Sequence, residues 1–186
     1  MPNKKTEIKP EKTLSSKYIF KGEAINLRLD AVRTGDGRHT TREIVEHEDA
    51  VVIVPIDSKD NVLLVSQFRT PLGKNLLEVP AGGIDKGEDA EAAVIREMQE
   101  ETGYKPRKVV FLAGFHSAPG FTNEYLHCYL AMDLKPSRLE AEDTAGIEVI
   151  RAPLAKIREM IFSGEIQDAK SIAGLLLTLE YLKKKS

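Results

Sequence analysis

A chain of 186 residues that is 41% hydrophobic and 30% charged has an ordinary globular composition, long enough to bury a core in one domain with a small extension. Its formal net charge of -2 gives no electrostatic reason to expect a nucleic acid partner, so an anionic ligand would have to be met by local cations. The single cysteine, Cys128, excludes an internal disulfide; no run approaches the roughly 20 apolar residues of a membrane span, and the first residues lack a signal-peptide core, so a cytoplasmic protein with no membrane partner is expected.

In chain order, residues 1–13 are rich in Lys, Glu and Pro and read as a fraying end. Short strands follow at 16–20, 24–32 and 39–47, the last two joined by a Gly35-Asp36-Gly37 turn. Because this stretch has few large apolar residues, residues 1–48 are expected to form a small β extension that leans on the rest of the chain or on a second subunit. Residues 49–186 read as the main domain. Two apolar strands, 50–56 and 62–67, flank a turn at 57–61, and the stretch 76–81 leads into a helix. Strands at 109–115, 125–132 and 147–152 come next. An amphipathic helix over 153–162 ends at Gly164, and Asp168 caps a last helix reaching Tyr181, with Leu175, Leu176 and Leu179 expected in the core. Cys128, between His127 and Tyr129 in a strand-like run, reads as a buried packing residue rather than a catalytic thiol. Strands and helices in this order predict an α+β fold with layered sheet and helices.

The helix expected over 90–102 carries the chemistry. Asp85, Gly87 and Glu88 supply turn and helix-start residues, and Gly103 falls where a helix ends. At about 100° per residue, Glu97, Glu100 and Glu101 share the face of Ala90, Ala93 and Val94. Acids at this end oppose the helix dipole by roughly 0.3 to 1 kcal/mol each, and Glu97 repels the other two at i,i+3 and i,i+4 spacing. A solvated acidic face is the common explanation of such a run. Here the acids continue the small apolar stripe, which favours a divalent cation that cancels their repulsion; oxygen ligands without nearby Cys or His suit Mg²⁺ or Mn²⁺.

Gly82, five residues, Glu88, seven residues, then Arg96-Glu97-Met98-Gln99-Glu100-Glu101-Thr102-Gly103 and a bulky residue resembles the Nudix box of the Nudix hydrolases. The final position departs: Tyr104 stands where the family usually has Ile, Leu or Val. Other segments resemble the ADP-ribose pyrophosphatase branch: the run from Thr41 to Glu46, Gln67-Phe68-Arg69, Glu78-Val79-Pro80-Ala81-Gly82, Ser117-Ala118-Pro119-Gly120 with Glu124 beyond, and Asp168-Ala169-Lys170-Ser171.

The resemblance implies an α/β/α sandwich of the Nudix type and hydrolysis of the diphosphate bond of ADP-ribose to AMP and ribose 5-phosphate. It implies that Glu97, Glu100, Glu101 and the Ala81 carbonyl hold roughly two or three Mg²⁺ ions, with Arg96 orienting the glutamates. Glu88 would either approach the metal or cap the helix. Arg42 and Arg69 would contact the diphosphate or the adenosine side, as their planar forked donors suit, although surface ion pairing describes most arginines. Ser117, Pro119 and Gly120 would border the substrate, although Pro-Gly is also ordinary turn chemistry, and Glu124 would bind the terminal ribose. Tyr18 or Phe20 would stack on adenine, or pack in a core or interface. The branch also implies a homodimer sharing its active sites through the N-terminal strands, and a general base in the acidic loop before the last strand, Glu142 or Asp143, with Glu101 the alternative. Two other readings remain open: hydrolysis of another nucleotide sugar such as GDP-mannose, and a module that binds ADP-ribose without cleaving it.

Overall fold

The computed structural model describes residues 9–141 and 146–185. The chain divides into two compact units, one formed by the residues up to Glu48 together with Ala118–Glu124, the other by Asp49–Ser117 and the residues from Tyr125 onward.

The first unit is an antiparallel meander of β1 (Lys12–Lys21), β2 (Asn26–Arg33) and β3 (His39–Glu46), in that order. Gly37, at φ 91°, supplies the left-handed residue of the β2–β3 turn, and its N–H bonds the Thr34 carbonyl at 2.8 Å. The Ala118–Glu124 segment joins through backbone and side chain alike: Val45 N–H donates to the Phe121 carbonyl (2.8 Å) and His47 N–H to Asn123 Oδ1 (3.0 Å). Asp30, almost fully buried, pairs with Arg28, which also meets Glu46. The scarcity of core is as expected: Leu14, Tyr18, Ile19 and Phe20 of β1 are all exposed in the single chain.

In the second unit, β4 (Ala50–Pro55) is buried along its whole length. A strand with both faces covered needs a continuous apolar run, and Ala-Val-Val-Ile-Val supplies it. Because side chains alternate, Val52 and Val54 enter one core with Leu64, Leu130 and Leu175, while Val51 and Ile53 enter another with Ala93, Val94 and Met98. β4 lies inside a mixed sheet of order β7-β4-β9-β8, parallel to β9 (Tyr125–Pro136) and antiparallel to β7 (Ala81–Gly83), with β8 (Tyr104–His116) outermost. A second, antiparallel sheet has the order β10-β5-β6, from β5 (Asn61–Arg69), β6 (Lys74–Glu78) and β10 (Glu148–Pro153). Helix α1 (Ala90–Glu97) covers one side of the mixed sheet; α2 (Ile157–Phe162) and α3 (Ala169–Lys183) contribute to the other core, giving the α/β/α layering. A Cβ on Gly174 of α3 would stand 3.2 Å from Val54 and 3.3 Å from the Cys128 sulfur, so that helix lies close on the sheet. Burial pushes the Cys128 thiol up to about 12, which suits a packing residue and not a nucleophile.

Three expectations are corrected. The stretch 76–81 is not one segment: it breaks at Val79-Pro80, where proline has no N–H to give a ladder and Val79 N–H instead donates to Ser171 Oγ (2.8 Å), so β6 and β7 enter different sheets. The acidic helix is α-helical only to Glu97; Met98–Thr102 is a π-helical turn, closed by Gly103 at φ 78°. Leu176 is exposed while Leu175 is buried, since neighbours on a helix point about 100° apart. Among the described residues no helix is long and apolar enough to cross a membrane.

Candidate active site

Glu97 and Glu101, each only 9% exposed, stand at the end of α1 and in the π turn that follows. The widened turn keeps Met98 fully buried, and the Thr102 hydroxyl donates back to the Met98 carbonyl at 2.5 Å, a bond that bends helices. Opposite lies β7. A side chain at Gly82 would overlap the Glu97 carboxylate, so only glycine lets the helix end come this near the strand. Ala81 N–H donates to Glu101 Oε2 at 3.2 Å.

Arg96 is the hub on the other flank. Its Nη1 reaches Glu97 Oε1 (2.6 Å) and Glu100 Oε2 (3.2 Å), its Nε and Nη2 reach the two Glu88 oxygens (both 2.9 Å), and Nη2 also donates to the Gly83 carbonyl (2.8 Å). The Glu88 carboxylate, with Glu97 behind it, raises the guanidinium above its ordinary pKa despite partial burial, and Arg96 in turn holds Glu88 below the usual carboxylate range. Part of the expected repulsion between the glutamates is therefore already offset inside the protein. Glu88 is an ion-pair partner and not the helix cap; that role falls to Asp89, whose carboxylate accepts the Glu91 N–H at 3.0 Å.

Among the described residues Glu101 has no such cation against it. Burial first, then the charge of Glu97, raises its pKa to about 8, against the pull of the Ala81 N–H, Lys170 and Arg69.

A third cluster adjoins these. Glu78, 1% exposed at the end of β6, accepts Arg69 Nε (2.8 Å) and Nη2 (2.6 Å) as a fork and also receives Lys170 Nζ, which meets Asp168 Oδ2 at 3.0 Å. Burial pushes the Glu78 carboxyl up, but Arg69 and Lys170 more than offset it and leave it below its ordinary value. Sequence reasoning quoted Glu78 and Lys170 without giving either a role. The signal was available for Glu78: an acid set between Leu76-Leu77 and Val79-Pro80 in a strand pattern is a buried charge, and buried charges are paired.

Ala81, Gly82, Glu97, Glu101 and Arg69 line one cavity of about 160 Å³, with Gln67, Gly83 and Ile147 completing the wall. Glu100 is not in that lining. A larger cavity of about 650 Å³ lies by Asp57, Tyr104 and Arg151. Two of its cations are already engaged, Arg151 by the Tyr104 hydroxyl (2.8 Å) and Lys135 by Asp133 (2.9 Å), so size does not mark the centre here. Among the described residues no three His, Cys, Asp or Glu side chains form a ready cation cage. An incomplete all-oxygen set is nevertheless what Mg²⁺ uses, since it commonly takes one or two carboxylates and completes its shell with waters and substrate phosphates. Glu97 and Glu101, with the Ala81 carbonyl, fit that requirement; Glu97 already shares Oε1 with Arg96, and Glu100 would have to exchange Arg96 for the ion.

Other expected site residues are found as follows. In the first unit, Arg42 pairs with Glu11 (Nη2–Oε1 2.5 Å, Nε–Oε2 3.1 Å). Tyr18 lies under Lys21 Nζ at 4.4 Å, Phe20 is exposed, and Pro119-Gly120 form a turn in which the Phe121 and Thr122 N–H groups donate to the Ala118 carbonyl, each at 3.1 Å. Glu124 stands 3.5 Å from His47 Nδ1. Ser117, in the second unit, is exposed. Glu142 and Asp143 lie outside the described residues.

A layered α/β/α core thus sets a buried acidic helix end against a glycine strand. The chain belongs to the Nudix hydrolase family: the NUDIX domain matches residues 46–175, and the nucleoside diphosphate sugar hydrolase N-terminal domain matches residues 11–45. It is 34% identical to the ADP-ribose pyrophosphatase of Bacillus subtilis (strain 168), over 94% of each chain. It is 33% identical to the methanol dehydrogenase activator of Bacillus methanolicus, over 93% of this chain and 92% of that one. A crystal structure of an ADP compounds hydrolase shares the fold, with a TM-score of 0.88 at 24% identity over 96% of this chain and 97% of the other.

Proposed function

We propose that this chain hydrolyses the diphosphate bond of ADP-ribose, releasing AMP and ribose 5-phosphate. The observation that carries the reading is the meeting of two buried carboxylates, Glu97 and Glu101, with Arg69 around one cavity beside Ala81-Gly82. The pyrophosphatase name of the Bacillus subtilis relative supports the choice of substrate.

In this reading Glu97, Glu101 and the Ala81 carbonyl, joined by Glu100, hold Mg²⁺, which when bound neutralises phosphate charge and acidifies water. Arg69 receives the diphosphate with a planar donor face. Arg96 fixes the angle of Glu97 and keeps Glu88 and Glu100 from repelling it. Water oxygen forms a bond to one phosphorus as the bridging anhydride bond breaks, and the water proton passes to an acidic side chain. Glu101, whose carboxylate a bound cation would keep ionised, is the candidate to accept that proton among the described residues; Glu142 and Asp143 are the remaining candidates from the sequence. In the first unit, Arg42 would leave Glu11 for the ligand, Tyr18 or Phe20 would stack on adenine, Pro119-Gly120 and Ser117 would border it, and Glu124 would bind the terminal ribose. The exposed β1 residues Leu14, Ile19 and Phe20 suit burial against a second copy in a homodimer, and the setting is cytoplasmic.

AMP release from ADP-ribose, GDP-mannose, ADP-glucose and a diadenosine polyphosphate, each with Mg²⁺ and with chelator, tests this. A metal-dependent preference for ADP-ribose is expected. Preference for another sugar nucleotide would overturn the specificity, and silence on every substrate would overturn hydrolysis itself.

A further inference from the structure

Lys170 sits where helix physics alone would not put it. It is the second residue of α3, and a cation in the first turn opposes the helix dipole. The same turn is held down elsewhere: Asp168 accepts the Ser171 N–H (3.1 Å), and Ser171 Oγ accepts Val79 N–H (2.8 Å), which brings the start of α3 onto the end of β6. From there Lys170 Nζ reaches Glu78, whose two oxygens are already forked by Arg69. A local rule broken at one residue, with a buried carboxylate as the result, calls for a compensating role.

That role follows from counting donors and charge. A guanidinium has five N–H groups in a plane. Nε and Nη2 face Glu78, so the edge Arg69 can offer to the cavity is Nη1 with the outer N–H of Nη2. Lys170 Nζ is itself 3.0 Å from Asp168 Oδ2, so Arg69, Lys170, Glu78 and Asp168 together sum to zero. Lys170 therefore acts as a second cation on Glu78, holding that carboxylate and keeping the Arg69 fork in place.

We propose that Lys170 is a positioning residue that, through Glu78, fixes Arg69 to meet the diphosphate of the substrate. This rests on the reading of Arg69 as a diphosphate contact. Lys170 itself is not in the lining of the cavity.

The test is steady-state kinetics on ADP-ribose at saturating Mg²⁺, with melting curves beside it. Lys170→Met is expected to raise KM about tenfold or more while kcat stays within about threefold, because the loss is in ground-state capture. Lys170→Arg, which keeps charge and donors, is expected to stay within about threefold of wild type. Lys170→Gln keeps a donor but no charge; it is expected to show the KM rise with the fold retained, and it decides the matter if Lys170→Met melts early. Arg69→Ala with Lys170→Met is expected to be no worse than Arg69→Ala alone, since both act through one guanidinium. A folded Lys170→Gln with wild-type KM, or effects of Lys170 and Arg69 that multiply, would overturn the proposal while leaving Arg69 as a ligand. An unchanged KM in Arg69→Ala would instead overturn the diphosphate assignment, and the proposal with it.

Discussion

Glu101→Gln removes one titrating proton from the interior, and its effect can be worked out before any activity is measured. In the metal-free protein the Glu101 carboxyl has a pKa of about 8 in place of an ordinary 4.5, mainly from burial and secondarily from Glu97. A folded-state pKa raised above the unfolded one means that folding favours the protonated form. The associated stability is whole below pH 4.5 and is lost as pH rises through 8. At about 1.36 kcal/mol per pH unit of displacement, the loss across that window is on the order of 5 kcal/mol. For a chain of this size that corresponds to a fall in melting temperature of roughly 10 °C. Thermal melts in chelator at pH 5, 6, 7, 8 and 9 would show it as the difference between wild type and Glu101→Gln, which subtracts the histidines and every other shared group. The variant should be the flatter of the two and the more stable above pH 8. Mg²⁺ added to wild type should restore most of the loss, because it favours the carboxylate. Parallel pH profiles for wild type and variant in chelator would refute the account of Glu101 as a carboxyl held neutral by its surroundings.

Gly82→Ala should reduce hydrolysis by about 100-fold or more, since its methyl group takes the place of the Glu97 carboxylate; an overpacking penalty of about 1–3 kcal/mol should accompany it, read by urea melts. Arg96→Lys keeps the charge but cannot fork between Glu88 and the pair Glu97 and Glu100, so kcat should fall by about 10-fold or more, with a smaller change in KM, in steady-state assays. Cys128→Ser should leave kcat unchanged while melts show a loss of about 1–3 kcal/mol from a hydroxyl placed in an apolar core; a large fall in kcat there would revive a thiol mechanism.

Much of the main unit was legible because its signals are local. The apolar run of β4 needs both faces covered, the Asp168 cap and the glycine at 103 mark helix ends, and the Gly82-to-Gly103 spacing carries the acidic helix whole. The π turn at Met98–Thr102 was not legible, since a one-residue widening of a helix leaves the same residue types in the same order. The break at Val79-Pro80 could have been read from the proline; the sheet that each half joins could not, because that depends on Ser171, 92 residues away. The same separation hides the Glu78–Lys170 pair. Sequence spacing brings together what one helix presents, and the cations that complete this site arrive from other elements.

That difference explains how five acidic side chains are tolerated in one small region. Arg96 is local: eight residues from Glu88, which precedes α1, and four from Glu100, it absorbs Glu88, Glu97 and Glu100. Arg69 and Lys170 are remote and are spent on Glu78, at the far wall. Glu101 is the carboxylate left between the two groups, close enough to each to feel both and paired with neither. If a direct cation partner were added to Glu101, its pKa would fall and the acidic end would be stable without metal, but the demand for a divalent ion would fall with it. The distribution of cations in the fold thus sets which carboxylate stays unsatisfied, and it is the one beside the backbone of Ala81.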